Sequence, residues 1–172
     1  EEEQHAWSFG LNHILSDSAR LYGAVKRFYR YPATDELFVF GPPPSFNADL
    51  EPEWGHEFEV GADWSFGDLT LGGRLYHQQM HDEMVLNVFL GAVGENVNLD
   101  ETSRWGADFG ASYALTESVD LSLQYSWVDA KIVGGDFDGS EVPLVPEYKA
   151  RFVVDYRASE SITITTAATF MH

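Results

Sequence analysis

Five stretches of this chain alternate apolar and polar residues so strictly that a β-sheet with one greasy and one wet face is the fold they admit. From His56, the residues Phe58, Val60, Ala62, Trp64 and Phe66 fall on one face, and Glu57, Glu59, Gly61, Asp63 and Ser65 on the other. Trp105, Ala107, Phe109, Ala111 and Tyr113 oppose Arg104, Gly106, Asp108, Gly110 and Ser112 in the same way. Val119 to Trp127, Ala150 to Tyr156 and Ile162 to Phe170 repeat the pattern, and no apolar face in the five carries a charge. Weaker alternation marks three more strands, Ala6 to Ile14, Arg20 to Tyr29 and Leu69 to about Met80. The expectation is therefore an all-β chain of about eight antiparallel meander strands.

The connections alternate too. Leu15 to Ser18, Gly67-Asp68, Thr116 to Ser118 and Ser159 to Ser161 have the length and residue types of tight turns. Arg30 to Gly55, His81 to Thr102 and Lys131 to Glu147 are long and are expected to be loops. Short turns on one rim and long loops on the other are the habit of an up-and-down transmembrane β-barrel. Trp64, Phe66, Tyr113 and Tyr156 lie beside the short turns, whereas Trp105, Trp127 and Phe170 lie toward the long loops, as two interfacial belts would. Trp105 to Tyr113 spans about 26 Å along a strand, or ~19 Å vertically at a ~45° tilt, close to the apolar band of a barrel at roughly 25 Å. A soluble barrel or sandwich with its apolar face turned inward has the same alternation and stays open on this ground alone.

Composition closes other routes. The net charge of −18 and pI near 4.4 leave no basic surface for nucleic acid. Zero cysteines remove disulfides, thiolate metal sites and a cysteine nucleophile. The longest weakly polar run, Met84 to Gly94, contains Asn87 and is too short for a membrane helix. The chain opens Glu1-Glu2-Glu3, without an initiator Met or a signal-like apolar region, and reads as a mature or internal segment.

Two sequence boxes stand in the first long connection. Tyr29-Arg30-Tyr31-Pro32 with Glu36-Leu37, then Asn47-Ala48-Asp49-Leu50-Glu51-Pro52-Glu53, resemble the Phe-Arg-x-Pro…Glu-Leu and Asn-x-x-Leu-x-Pro-Glu boxes of TonB-dependent outer-membrane receptors. Tyr29 replaces the family's Phe. Asp82-Glu83-Met84, Val97-Asn98-Leu99 before Gly106-Ala107-Asp108, Tyr125 to Ala130 and Val142 to Pro146 follow in the family's order. The resemblance implies a barrel of about 22 strands with a plug inside it, located in the bacterial outer membrane and driven through TonB. Residues 1–172 would then be part of the barrel domain, in the C-terminal half of the protein. The plug with its TonB box, the earlier strands and the closing strands would be missing, since His172 does not resemble the family's terminal aromatic.

The resemblance also sets expectations for ligand and partners. It implies import of a scarce metal chelate, with a ferric siderophore as the first expectation, and TonB and outer-membrane lipid as partners. The rivals are a plugless porin or adhesin barrel and a soluble ligand-binding barrel. Haem receptors of the family place a His between the two boxes, and Ala33 to Phe46 contains none. Arg30, Pro32, Glu36, Leu37, Asn47, Leu50, Pro52 and Glu53 are expected as loop anchors, with prolines that stop strand pairing and an Arg30–Glu36 ion pair at the rim. Phe38, Phe40 and Phe46, around Pro42-Pro43-Pro44, form either an apolar platform for a bulky chelate or packing within the loop.

His77 and His81 are weak metal candidates, because on a strand they share one face while Met80 and Met84 share the other. Loop acids such as Asp35, Asp100, Asp136 and Asp138 are either calcium ligands or a solvated face. The charges of the wet face either pair with a plug or simply wet a lumen. No serine elbow, phosphate loop or convergent His/Asp/Ser set is visible, so neither catalysis nor a cofactor is expected.

Overall fold

The computed structural model describes residues 3–39, 44–87 and 94–172. Ten strands lie in chain order: β1 Trp7–Ser16, β2 Ala19–Arg30, β3 Phe38–Val39, β4 Ser45–Phe46, β5 Glu53–Phe66, β6 Leu69–Asn87, β7 Glu95–Thr116, β8 Val119–Val133, β9 Tyr148–Ser159 and β10 Ile162–Met171. Eight of them form one antiparallel meander in the order β1-β2-β5-β6-β7-β8-β9-β10, and β3 pairs with β4 as a separate hairpin. The eight predicted strands are all present and in the predicted order.

Register turns the alternation into continuous rows. Leu11, Gly23, Val60, Leu75, Ala107, Trp127 and Tyr148 are cross-strand neighbours in one apolar row over seven strands. One residue along, Asn12, Tyr22, Gly61, Arg74, Asp108, Ser126, Lys149 and Met171 make a polar row over all eight. The apolar face is bare: Phe9 and Leu11 are each 68% exposed and Leu75 61%. A surface of that extent needs an apolar partner, and lipid supplies it in a membrane barrel. Among the described residues no helix is long and apolar enough to cross a membrane.

The polar face is tied across strands by charge. Arg74 Nε donates to Asp108 Oδ2 at 2.7 Å and its Nη1 to Glu59 Oε2 at 2.8 Å. Arg20 pairs with Asp63 at 2.5 Å. Lys26 Nζ stands 2.8 Å from Glu57 Oε1, an ion contact without hydrogen-bond alignment. Tyr22 and Tyr76 fold their rings over Gly61 and Gly106 on the next strand, where a Cβ would be 2.3 and 2.1 Å from the ring.

The long connection expected between His81 and Thr102 is different. β6 runs on to Asn87 and β7 starts at Glu95, paired through Asn87↔Glu95, so most of that stretch is a projecting hairpin. Its sequence does not alternate cleanly because, beyond the bilayer, no lipid demands an apolar face. Asp82 also takes φ +56°, a left-handed backbone that few side chains adopt. The third connection carries a 3₁₀ turn at Gly135–Phe137 and folds back on β8, where Ala130, Ile132 and Val142 form a small buried cluster.

Candidate functional site

The two boxes meet at the long-connection rim. Arg30 ends β2 and Glu53 begins β5, and they are register partners. Arg30 Nε and Nη2 donate to the two oxygens of Glu53 at 2.8 and 3.3 Å, while Nη1 donates to Glu36 Oε2 at 2.6 Å. Glu36 Oε2 also accepts the Ala33 N–H at 2.7 Å, and Glu53 Oε2 the Met84 N–H at 3.0 Å. One guanidinium thus closes both ends of the first connection and reaches, through Glu53, the projecting hairpin. Pro32 and Pro52 sit half-buried at the chain's exit from β2 and entry to β5, and Leu50 is buried.

Asparagines fasten the rest. Asn47 Nδ2 donates to the Asn96 carbonyl at 2.8 Å, and Asn96 Nδ2 to the Glu36 carbonyl at 3.0 Å. Asn98 Nδ2 reaches the carbonyls of Glu51 and Asp82 at 2.9 and 2.6 Å, and its Oδ1 accepts the Glu51 N–H at 2.8 Å. The Asn47 backbone N–H returns to the Leu37 carbonyl at 2.8 Å. Both boxes therefore lie against β7, a partner the sequence reading did not identify. Asn96-x-Asn98, two amides on alternate positions of an otherwise open strand, was the available signal.

Burial alone would raise the Glu36 carboxyl, but the hydrogen bonds from Arg30 and Ala33 and the adjacent guanidinium charge hold it below its ordinary 4.5. The hydrogen bonds to Glu53 and Glu36 in turn hold the Arg30 proton more firmly. A depressed carboxyl stabilises above its unfolded value and loses that contribution as pH falls through its folded value. The Ala33 amide is thus expected to stay protected from hydrogen exchange above about pH 4.5 and to lose protection below the folded value of Glu36. Glu36→Gln should abolish that pH dependence; an unchanged profile would mean that Glu36 does not hold the turn. With Arg30 44% exposed, the pair contributes only about 0–1 kcal/mol.

Held by this frame, β3 and β4 set Phe38 opposite Phe46. The rings meet edge to face at 5.3 Å and 66°, and remain 44% and 55% exposed. Phe40 lies outside the described residues, as do Pro42 and Pro43.

Below the boxes, a cluster absent from the sequence reading occupies the polar side of β6 and β7. Arg104, 9% exposed, donates to Glu83 Oε1 at 2.5 Å, to Thr102 Oγ1 at 2.8 Å and to Met80 Sδ at 3.3 Å. Thr102 is fully buried and donates to Glu83 Oε2 at 2.5 Å.

His77 and His81 share one face, as expected; it is the apolar one, and their neighbours differ. His77 lies 4.3 Å from the Trp105 ring and 3.0 Å from Ser103 Oγ, and His81 stacks on Trp54 at 4.2 Å. Among the described residues no group of three or more His, Cys, Asp or Glu is placed to hold a metal ion.

A family model described as TonB dependent receptor-like, beta-barrel matches residues 2–168. The chain belongs to this family. Its apolar face therefore meets lipid of the bacterial outer membrane and its polar face lines a barrel interior. The family is one of transport receptors rather than enzymes. The iron-regulated outer membrane virulence protein of Vibrio cholerae is 27% identical over 115 residues, covering 59% of this chain and 18% of that protein. The siderophore receptor PirA of Pseudomonas aeruginosa superposes with a TM-score of 0.72 at 13% identity, over 97% of this chain and 30% of that one. The copper transporter OprC superposes at 0.70 and 21% identity, over 91% and 24%. These likenesses in structure are likenesses of fold, and the chain spans under a third of each relative's length.

Proposed function

We propose that residues 1–172 form part of the barrel wall of a TonB-dependent transporter that imports a metal chelate, a ferric siderophore first among the candidates. The plug and remaining strands would belong to other parts of a longer polypeptide, with TonB engaging the plug. The observation that carries the ligand side of this reading is the exposed Phe38–Phe46 pair, held on a loop pinned at both ends by Arg30 and Glu53. An apolar chelate surface can bury two rings there that are already set against each other. The iron-regulated relative and the siderophore-receptor fold agree with this reading. A passive porin or an adhesin gives no reason for pinning a loop of exposed aromatics.

The test uses the full-length polypeptide in iron-starved cells, with radiolabelled iron on catecholate, hydroxamate and citrate chelates. Uptake of at least one chelate is expected, and it should cease when the proton gradient is collapsed. Phe38→Ala/Phe46→Ala should lower uptake about tenfold, two aromatic contacts at ~0.5–1.5 kcal/mol each against ~1.4 kcal/mol per decade. Uptake that ignores the gradient would sink the transporter reading; full uptake by the double variant would sink the aromatic contact alone.

A further inference from the structure

The chain neutralises most of the cations it carries. Of the ten Lys and Arg side chains, all but Arg27, Lys149 and Arg151 hold a carboxylate within 4.0 Å. Arg27 is taken up by the His5 carbonyl, the Gln4 amide oxygen and the Trp54 ring. Lys149 and Arg151 are left with no partner among the described residues, on a chain of net charge −18.

Their surroundings make the omission meaningful. The two side chains are two residues apart on the polar face of β9, about 6.7 Å along the strand. Lys149 is the register partner of Ser126 and Met171, and Arg151 of Gln124 and Thr169. These six line one hollow of about 290 Å³. It contains two cations, two hydroxyls and an amide, and no carboxylate. The nearby acids have other partners: Asp108 is held by Arg74, Asp155 by Thr165, and Glu147 is hydrogen-bonded to its neighbour Tyr148. Two like charges left side by side repel, and the arrangement is relieved when an anion bridges them through charge-assisted hydrogen bonds.

We propose that Lys149 and Arg151, with Ser126, Gln124 and Thr169, form a seat for an oxyanion on the interior wall of the barrel, taking the carboxylate or similar oxygens of a negatively charged chelate. This deepens the transporter reading and rests on it for the identity of the ligand. The same chemistry has a second source, an acidic side chain from elsewhere in the same polypeptide. The seat favours anionic chelates over neutral ones, which a wall of self-neutralised pairs would not do.

The probe is citrate, titrated calorimetrically at constant ionic strength into the full-length receptor in detergent micelles, with the thermal midpoint recorded for each variant. Citrate is expected to bind the wild type and to bind Lys149→Gln/Arg151→Gln at least tenfold more weakly, with the midpoint unchanged. Lys149→Arg/Arg151→Lys, which keeps both charges, should retain binding and serves as the folding control. If citrate does not bind but the Gln pair lowers the midpoint and the charge-keeping pair does not, the seat stands and an internal carboxylate fills it. Equal citrate binding by wild type and Gln pair, or no binding together with an unmoved midpoint, overturns the proposal. Citrate binding needs no proton gradient, so failure here leaves the transporter reading standing, and failed uptake leaves this result readable.

Discussion

Arg104→Met is expected to loosen the projecting hairpin by ~3–5 kcal/mol, the usual result of stripping one partner from a buried ion pair. The Arg104 and Glu83 side chains are only 10% and 13% exposed, so little solvent is at hand to replace the guanidinium. Without it, Glu83 keeps one hydrogen bond from Thr102, which is itself fully buried, and an uncompensated charge. Hydrogen exchange in the full-length receptor, read over the backbone of 82–87 and 95–102, should show the loss of protection confined to that hairpin. Arg104→Met with Glu83→Gln removes the charge as well as its partner and should recover a large part of the loss. Unchanged exchange in the single variant would mean that water already solvates Glu83 and that the cluster does not hold the hairpin.

That cluster also marks where the sequence stops being legible. Strands that cross lipid must keep one face apolar, so the alternation from Phe58 to Phe66 or from Trp105 to Tyr113 declares strand, face and order together. Past the bilayer the constraint lapses, and β6 and β7 continue through Glu83-Met84-Val85 and Asn96-Val97-Asn98 with water or protein on both sides. Arg104 looks like any other charge on a wetted face. What surrounds it is Met80, Thr102 and Glu83 of the two paired strands, an arrangement that no pattern of polarity encodes. The boxes show the same division. Arg30 and Glu53 are conspicuous as charges near Pro32 and Pro52, and their pairing follows from β2 and β5 being neighbours. Docking of Asn47 and Glu51 on Asn96 and Asn98 depends on a hairpin that the sequence presents as loop.

The same physical distinction, what lies opposite a residue rather than what it is, governs the glycines of the polar face. Gly106→Ala is expected to destabilise the barrel by ~1–3 kcal/mol as an overpacked site does. A Cβ there would stand 2.1 Å from Cζ of Tyr76 and 2.3 Å from its hydroxyl, so the ring must swing away. It would then leave the position 4.9 Å from the Arg74 guanidinium, whose own carboxylates span Glu59 and Asp108. The ring covers backbone that glycine leaves open, as aromatics do over strand glycines. In a Tyr76→Ala background the obstacle is gone, and Gly106→Ala should turn neutral or stabilising by up to ~1 kcal/mol, because alanine restricts the unfolded chain more than glycine does. Gly110, four residues along the same face with no atom within 4 Å of its would-be Cβ, is the control, and Gly110→Ala should be tolerated in both backgrounds. The midpoint of chemical unfolding of the full-length barrel in micelles measures all three. If Gly106→Ala costs the same with and without the tyrosine, backbone strain rather than the ring sets the requirement for glycine, and the two Tyr–Gly contacts are incidental to the strength of the wall.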